Sequence, residues 1–315
     1  MLKTLNIAFF TEAGSSRGMG HLVRCQTISE KFKTLGIQIT FFLDSDINFD
    51  HKFNNINYFK WREFSLLEKY YDIIFIDSYD ADISIYNKIF RACKIAVYID
   101  DYKRLDYPKG VILNFAPDAK EVFFKQKNDK YKYLLGLKYI PIRDDFFKLE
   151  IDKKEQIFIM LGGSDIAKLS LELALLLEDT RLSKVIVSNN KEIIDSLKHY
   201  KSIEVLYKPL DTELIEAMAS SSIAITTASM SVYELVYLKI PTIVIAISKN
   251  QEIGMPQLIK FNLASDFVVI EGNNWRDDMK KKVDTLLSLE NCKINNQIDG
   301  DGTSYIVNEV LELIK

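Results

Sequence analysis

Short apolar runs recur along the chain, and between them the apolar positions fall three or four residues apart. In the first half, Asn6–Phe10, Gln38–Leu43, Ile73–Ile76, Ile95–Ile99 and Gly110–Asn114 read as buried strands. In the second half, Gln156–Met160, Lys184–Ser188, Ile203–Tyr207, Ser222–Thr226, Thr242–Ile247 and Phe267–Val269 do the same. Most are rich in Ile, Val and Phe and do not alternate with polar residues, which suits strands covered on both faces of a parallel sheet. Residues His21–Leu35 place Leu22, Cys25, Ile28, Phe32 and Leu35 on one helical face, and Gly36 supplies a stop. Strands alternating with helices predict a doubly wound α/β architecture. The pattern restarts near residue 155, after the charged stretch Arg143–Glu155. This predicts two Rossmann-like domains, residues 1–150 and 151–315, each opening with a strand, a glycine loop and a helix.

Length and composition fit that reading. The chain has 315 residues, 48% apolar and 27% charged, ordinary for folded α/β domains. A net charge of −3 gives no electrostatic reason to expect nucleic acid as a partner. Cys25, Cys93 and Cys292 are odd in number and far apart, which argues against a disulfide framework or a zinc site and fits a reducing compartment, so a cytoplasmic enzyme is expected. The opening MLKTLNIAFFTEAG has too short an apolar core for a secretion signal and reads as a first strand. No apolar run reaches the roughly 18 residues of a membrane span, so no stable membrane insertion is expected. The segment Tyr58–Tyr71 is aromatic and mixed in charge, and reads as a strand and helix on the sheet as well as a docking patch.

Candidate chemistry lies between strands and helices. The first segment is Glu12-Ala-Gly-Ser-Ser-Arg-Gly18-Met-Gly20-His21, followed by Arg24 and Cys25. Its glycines let backbone N–H groups approach a ligand, and a histidine opens the next helix. Gly-x-Gly-x-x-Gly is absent, so this is not a dinucleotide fingerprint. Next come Gly162-Gly163-Ser164-Asp165, then Ser229-Met-Ser231 followed by Glu234, where small hydroxyl residues before a helix suit a phosphate and the acid suits a ribose diol. Lys249-Asn250-Gln251 reads as a loop after a strand, with amides for sugar hydroxyls. Asp77-Ser78-Tyr79 and Asp100-Asp101 place acids at strand ends. His51 and His199 read as solvated. Taken singly, each piece reads as well as an ordinary turn or helix cap. No metal-ligand cluster is visible, so neither metal nor cofactor is expected.

In their shared order these motifs resemble one family, the UDP-sugar hydrolase of pseudaminic acid biosynthesis. That family releases UDP from UDP-2,4-diacetamido-2,4,6-trideoxy-β-L-altropyranose. The pieces are Gly18-x-Gly20-His21-x-x-Arg24-Cys25, Asp77-x-Tyr79, Asp100-Asp101, Gly136-x-x-Tyr139-x-x-x-Arg143-x-x-Phe146, Gly162-Gly163-Ser164-Asp165, Ala228-Ser229 through Glu234, Lys249-Asn250-Gln251 and Ile298-Asp-Gly300-x-Gly302. The family is itself similar to GT-B glycosyltransferases. The resemblance implies two Rossmann-like domains facing a cleft, UDP held mainly by the second, and a final helix returning to the first. It implies metal-independent hydrolysis with inversion at C1, His21 as general base, Glu234 on the uridine ribose, and Asn250 and Gln251 near the sugar. It extends to substrate contacts from Glu12, Gly18, Gly20, Arg24, Tyr79, Asp101, Gly162, Gly163, Ser164, Ser229 and Ser231. Glu12 or an aspartate near residues 77 and 101 would orient the imidazole.

One departure bears on the substrate. The family's Arg-x-Asp-x-Ser is here Phe10-Thr-Glu12-Ala-Gly14, so a different UDP-linked acetamido sugar is an open expectation. The competing readings are a GT-B glycosyltransferase, with an acceptor hydroxyl replacing water, and a nucleotide-sugar binder without turnover.

Overall fold

The computed structural model describes residues 5–315 except 16, 50–55, 66–67, 126–127, 163–168, 248, 271–273, 290–293 and 296; the side chains of residues 124, 148, 249–251 and 253 also lie outside the description. The elements run β1 (Asn6–Ala13), α1 (Gly20–Thr34), β2 (Gln38–Ser45), β3 (Ile56–Phe59), β4 (Tyr71–Asp77), α2 (Ile83–Phe90), β5 (Cys93–Ile99), β6 (Gly110–Asn114), α3 (Ala119–Phe124) and β7 (Tyr131–Leu135). They continue with β8 (Gln156–Met160), α4 (Leu169–Leu176), β9 (Ser183–Ser188), α5 (Lys191–Leu197), β10 (Ile203–Tyr207), α6 (Asp211–Ser220), β11 (Ile223–Thr227) and α7 (Met230–Tyr237). Last come β12 (Thr242–Ala246), α8 (Lys249–Lys260), β13 (Asp266–Val269), α9 (Trp275–Ser288) and α10 (Gly302–Glu312).

The chain divides into two units, one of Met1–Ile142 with Asp299–Lys315 and one of Arg143–Ile298. Each is built on a single parallel sheet. The first has seven strands in the order β3-β2-β1-β4-β5-β6-β7, the second six in the order β10-β9-β8-β11-β12-β13. In both, the chain first steps outward from the opening strand and then returns to its other side. The order therefore reverses between β1 and β4, and between β8 and β11. In open α/β sheets, ligands bind beyond the carboxyl ends of the strands at such a reversal.

The centre of the first sheet is aromatic. On one face the Phe9 ring stacks between Phe41 and Phe75, at 5.2 and 4.5 Å. On the other, Phe10 stacks on Phe42 at 4.3 Å and packs with Trp61, Ile74, Ile76 and Tyr98. Helix α1 buries Leu22, Cys25, Ile28 and Phe32. It ends in a left-handed Gly36, with Gly36 N–H on the Lys33 carbonyl and Ile37 N–H on that of Phe32. Leu35, expected on the buried face, is instead 38% exposed because it is the capping residue, where the helical face stops. The second unit packs Ile157, Ile159, Ile225, Ile243, Ile245 and Leu173 in one core.

Two strands escape the apolar-run pattern, β3 and β7, and both are sheet edges. An edge strand is half covered, so its sequence (INYF, YKYLL) alternates or carries a lysine rather than running apolar throughout. Among the described residues Tyr58–Tyr71 forms no α-helix; it holds the end of β3, a 3-10 turn over Trp61–Glu63 and the first residue of β4. The boundary expected near residue 150 falls after Ile142. Arg143 donates from Nε to Glu234 Oε1 at 2.9 Å and lies 3.6 Å from Asp211, so the charged stretch belongs with the second unit. Helix α10 groups with the first unit and packs on α1. A Cβ on its first residue, Gly302, would lie 2.0 Å from the Ile140 carbonyl oxygen, which requires glycine there.

Candidate active site

The strand order of the first unit places three of the candidate segments together. Asp77 ends β4 and is paired in register with Thr11 of β1; His21 opens α1, directly after the loop that leaves β1. Asp101 follows β5. His21 Nδ1 lies 2.6 Å from Asp77 Oδ1. Arg24, three residues on and therefore on the same face of α1, donates from Nε to Asp77 Oδ2 and from Nη2 to Asp77 Oδ1, both at 2.6 Å. It also reaches Asp101, with Nη1 3.1 Å from Oδ1 and Nη2 3.0 Å from Oδ2. One guanidinium thus bridges two carboxylates in a fork geometry that lysine cannot supply.

This network assigns the histidine tautomer. Arg24 Nη2 also lies 3.1 Å from His21 Nδ1, but its two hydrogens already have acceptors in Asp77 and Asp101. Asp77, acceptor-only when ionised, therefore takes the hydrogen of Nδ1. In the neutral ring Nε2 then carries the free lone pair, the state a general base requires. Burial opposes the charge of Asp77, but Arg24 and His21 overcome it and hold its carboxyl well below the usual range. Burial likewise works against Arg24, and Asp101 and Asp77 reverse it, raising Arg24 well above its ordinary value. Cys25, beside Asp77, has its thiol pushed well up by burial and by that carboxylate, so it is an inert thiol.

Glu12, at the end of β1, lies outside this network. It is 1% exposed, and its carboxylate accepts from Trp61 Nε1 and Tyr79 N, both at 2.8 Å, and from the Ser78 hydroxyl. It holds the turn after β4 rather than the imidazole. That turn presents Tyr79, whose ring stands perpendicular to that of His21 with centroids 4.4 Å apart. The Tyr79 hydroxyl donates to Asp101 Oδ2 at 2.5 Å. Burial first, then the Asp101 charge, push this phenol far above its usual pKa, so it stays a donor. Tyr102 packs beside Tyr79 at 5.6 Å and is exposed. The glycine loop is closed by paired hydrogen bonds between Gly14 and Gly18, and Gly18 has φ +71°. Gly20 has neither a left-handed φ nor any atom within 4 Å of where a Cβ would stand.

In the second unit, Gly162 follows β8 with φ +88°. Ser229 precedes α7 at the β8/β11 reversal and is exposed, and its side chain makes no capping hydrogen bond. Ser231 is the second residue of α7 and is half-buried. Glu234 is buried; burial raises its carboxyl and Arg143 partly opposes the rise. Arg143 also lies over the Phe146 ring, 5.0 Å from its centre. Gly163 and Ser164 lie outside the described residues. Asn250 and Gln251 fall in the first turn of α8 rather than in a loop; their side chains are not among those described. His51 lies outside the described residues, and His199 is exposed. Asp77 is one of the acids expected to orient the imidazole, and Arg143 is a motif residue with no contact assigned to it from sequence. Arg104 is not singled out there; its sequence signal is its place just beyond the apolar strand β5.

No family model matches the chain. The chain is 28% identical over 259 residues to a Helicobacter pylori protein named pseudaminic acid cytidylyltransferase and UDP-2,4-diacetamido-2,4,6-trideoxy-beta-L-altropyranose hydrolase, covering 79% of this chain and 46% of that protein. It is 24% identical over 266 residues to the Campylobacter jejuni UDP-2,4-diacetamido-2,4,6-trideoxy-beta-L-altropyranose hydrolase, covering 79% of this chain and 94% of that one. An uncharacterized Methanocaldococcus jannaschii protein matches at 25% identity over 76% of this chain and 55% of its own length. The chain thus spans about half the length of two of these relatives. Among solved structures, Acinetobacter baumannii MurG superposes with a TM-score of 0.67 at 12% identity, over 98% of this chain and 99% of that one. The Methanocaldococcus jannaschii UDP-GlcNAc 2-epimerase in complex with UDP-GlcNAc and UDP superposes with a TM-score of 0.64 at 10% identity, over 98% and 100%. The chain has the GT-B fold, and in sequence it is similar to UDP-sugar hydrolases of pseudaminic acid biosynthesis.

Proposed function

We propose that this chain hydrolyses a UDP-linked acetamido sugar, of the 2,4-diacetamido-2,4,6-trideoxyhexose type, to free sugar and UDP. The observation that carries the reading is the His21 Nδ1 to Asp77 Oδ1 contact of 2.6 Å, at the β1/β4 reversal. His21 Nε2 takes a proton from a bound water. The water oxygen bonds to C1 from the side opposite the leaving group, the C1–O bond to the diphosphate breaks, and the configuration inverts. Asp77 orients the ring and balances the imidazolium that forms. UDP is assigned to the second unit: Glu234 to the ribose diol, Gly162–Ser164 and the Ser229–Ser231 start of α7 to the diphosphate, and Asn250 and Gln251 to the sugar. Relatives named for this hydrolysis support the proposed reaction, not the individual residues.

The test is turnover of a panel of UDP-acetamido sugars in water without acceptor, read by UDP release and product NMR. His21→Asn should lose about 10²–10⁴ in rate while remaining folded at assay temperature, with a lower melting temperature because Asp77 loses one of its partners. A folded His21→Asn hydrolysing near the parental rate would remove His21 from the mechanism. The GT-B likeness to MurG favours a second reading, transfer to an acceptor hydroxyl with the same base. Product formed only when an acceptor is added would select it.

A further inference from the structure

The turn that carries Tyr79 is bound from both sides to an unusual degree. From one side, Glu12 takes the Tyr79 N–H and the Ser78 hydroxyl, and the Ser78 oxygen in turn accepts from Asp80 N at 3.0 Å and Ala81 N at 2.9 Å. From the other side, the Arg104 guanidinium gathers the carbonyls of the same turn. Its Nη2 donates to Ser78 O and Ala81 O, both at 2.9 Å, and Nη1 donates to Tyr79 O at 3.1 Å. Arg104 is itself anchored: its Nη2 lies 3.1 Å from the Tyr86 hydroxyl, its guanidinium packs 5.6 Å from the Tyr86 ring centre, and its N–H is held at 3.1 Å by Asp100.

A turn of four residues needs no such hardware merely to close. A buried carboxylate and a half-buried guanidinium are costly groups to desolvate, and both converge on the backbone beneath one side chain. That side chain is 43% exposed, so its own packing does not fix it. Its ring stands perpendicular to the His21 imidazole with centroids 4.4 Å apart, and its hydroxyl ties back to Asp101.

We infer that Glu12 and Arg104 are positioning residues that clamp the 78–81 turn so that Tyr79 holds the His21 ring against rotation about its bond to Asp77. This rests on the hydrolase reading for its purpose but not for its geometry. It also gives Glu12 a role distinct from direct substrate contact: the acid acts on the substrate site only through Tyr79.

The experiment is a double-mutant cycle read on His21 itself. The chain has three histidines, so the His21 ring resonances are assignable by NMR through the loss of signal in His21→Asn. An aromatic ring this close shifts those resonances. Arg104→Met and Glu12→Gln should each move the His21 signal toward its position in Tyr79→Ala. Neither should move it further in the Tyr79→Ala background, because coupled residues are non-additive. In turnover assays the same two variants should lower kcat more than they raise KM, and Arg104→Lys, which keeps the charge and a donor group but not the fork, should recover part of the loss. An unmoved His21 signal in the single variants, or equal shifts with and without Tyr79, would overturn the clamp. If Arg104→Met or Glu12→Gln does not fold, Arg104→Lys and Glu12→Asp carry the same cycle. A parent protein without hydrolytic turnover would fail the hydrolase reading while leaving the NMR cycle decisive.

Discussion

Asp77 has no exposed surface, and its charge is sustained by the Arg24 fork and the His21 ring. That dependence has a sign. The folded carboxyl sits below its ordinary range, so the unfolded chain takes up the proton first as pH falls. The stability it contributes is complete above its unfolded pKa of about 3.9 and is lost as pH falls through the lower folded value. Asp77→Asn should therefore destabilise by about 3–5 kcal/mol near pH 7, the scale of breaking a buried pair, with the gap from the parent narrowing below about pH 4. Urea melts at pH 7, 5, 4 and 3 measure this. A gap independent of pH would mean that Asp77 is not ionised in the folded protein. The choice of Asp77 over Glu12 as the partner of His21 was not legible in the sequence. Asp77 lies 56 residues from His21, and only the pairing of β1 with β4 brings them together. Both acids end apolar strands, and nothing local distinguishes them.

Among the elements, strands covered on both faces, such as Ile73–Ile76 within β4 and Thr242–Ala246, stand out as apolar runs. The first sheet's edges β3 and β7 are masked by polar residues, whereas the second sheet's edges β10 and β13 keep enough apolar residues to be read. Lys249-Asn250-Gln251 looked like a loop because its polar residues open α8. The glycine loop before α1 separates two roles that its sequence merges. Gly18 is left-handed, so Gly18→Ala should cost about 1–2 kcal/mol in chemical denaturation. Gly20 is helical and unobstructed, so Gly20→Ala should be neutral or stabilise by about 0.4–1 kcal/mol. If Gly20→Ala nonetheless lowers turnover, the space at its α-carbon is used by the ligand; unchanged turnover would make Gly20 a plain helix opener.

For the molecule as a whole, the two parallel sheets repeat one design, and the proposed function gives the reversal in each a separate task. The second unit's share is testable without catalysis. UDP should raise the melting temperature and NAD should not, with about 2.7 kcal/mol expected at a hundred times the dissociation constant. Glu234→Ala should weaken UDP binding by about 1–3 kcal/mol. Equal protection by NAD, or undiminished binding by the variant, would remove the uridine assignment. Among the described residues no helix is long and apolar enough to cross a membrane.

The close seat of Gly302 on the Ile140 carbonyl has a consequence for biosynthesis. The first unit is discontinuous, and all of Arg143–Ile298 is translated before its final segment emerges. During that interval the α1 surface that receives α10 stands uncovered on the nascent chain, while the second unit, continuous in sequence, already has every strand it needs. The later-made unit can thus reach its native state first, and α1, the helix that His21 opens, is among the last elements to be sealed.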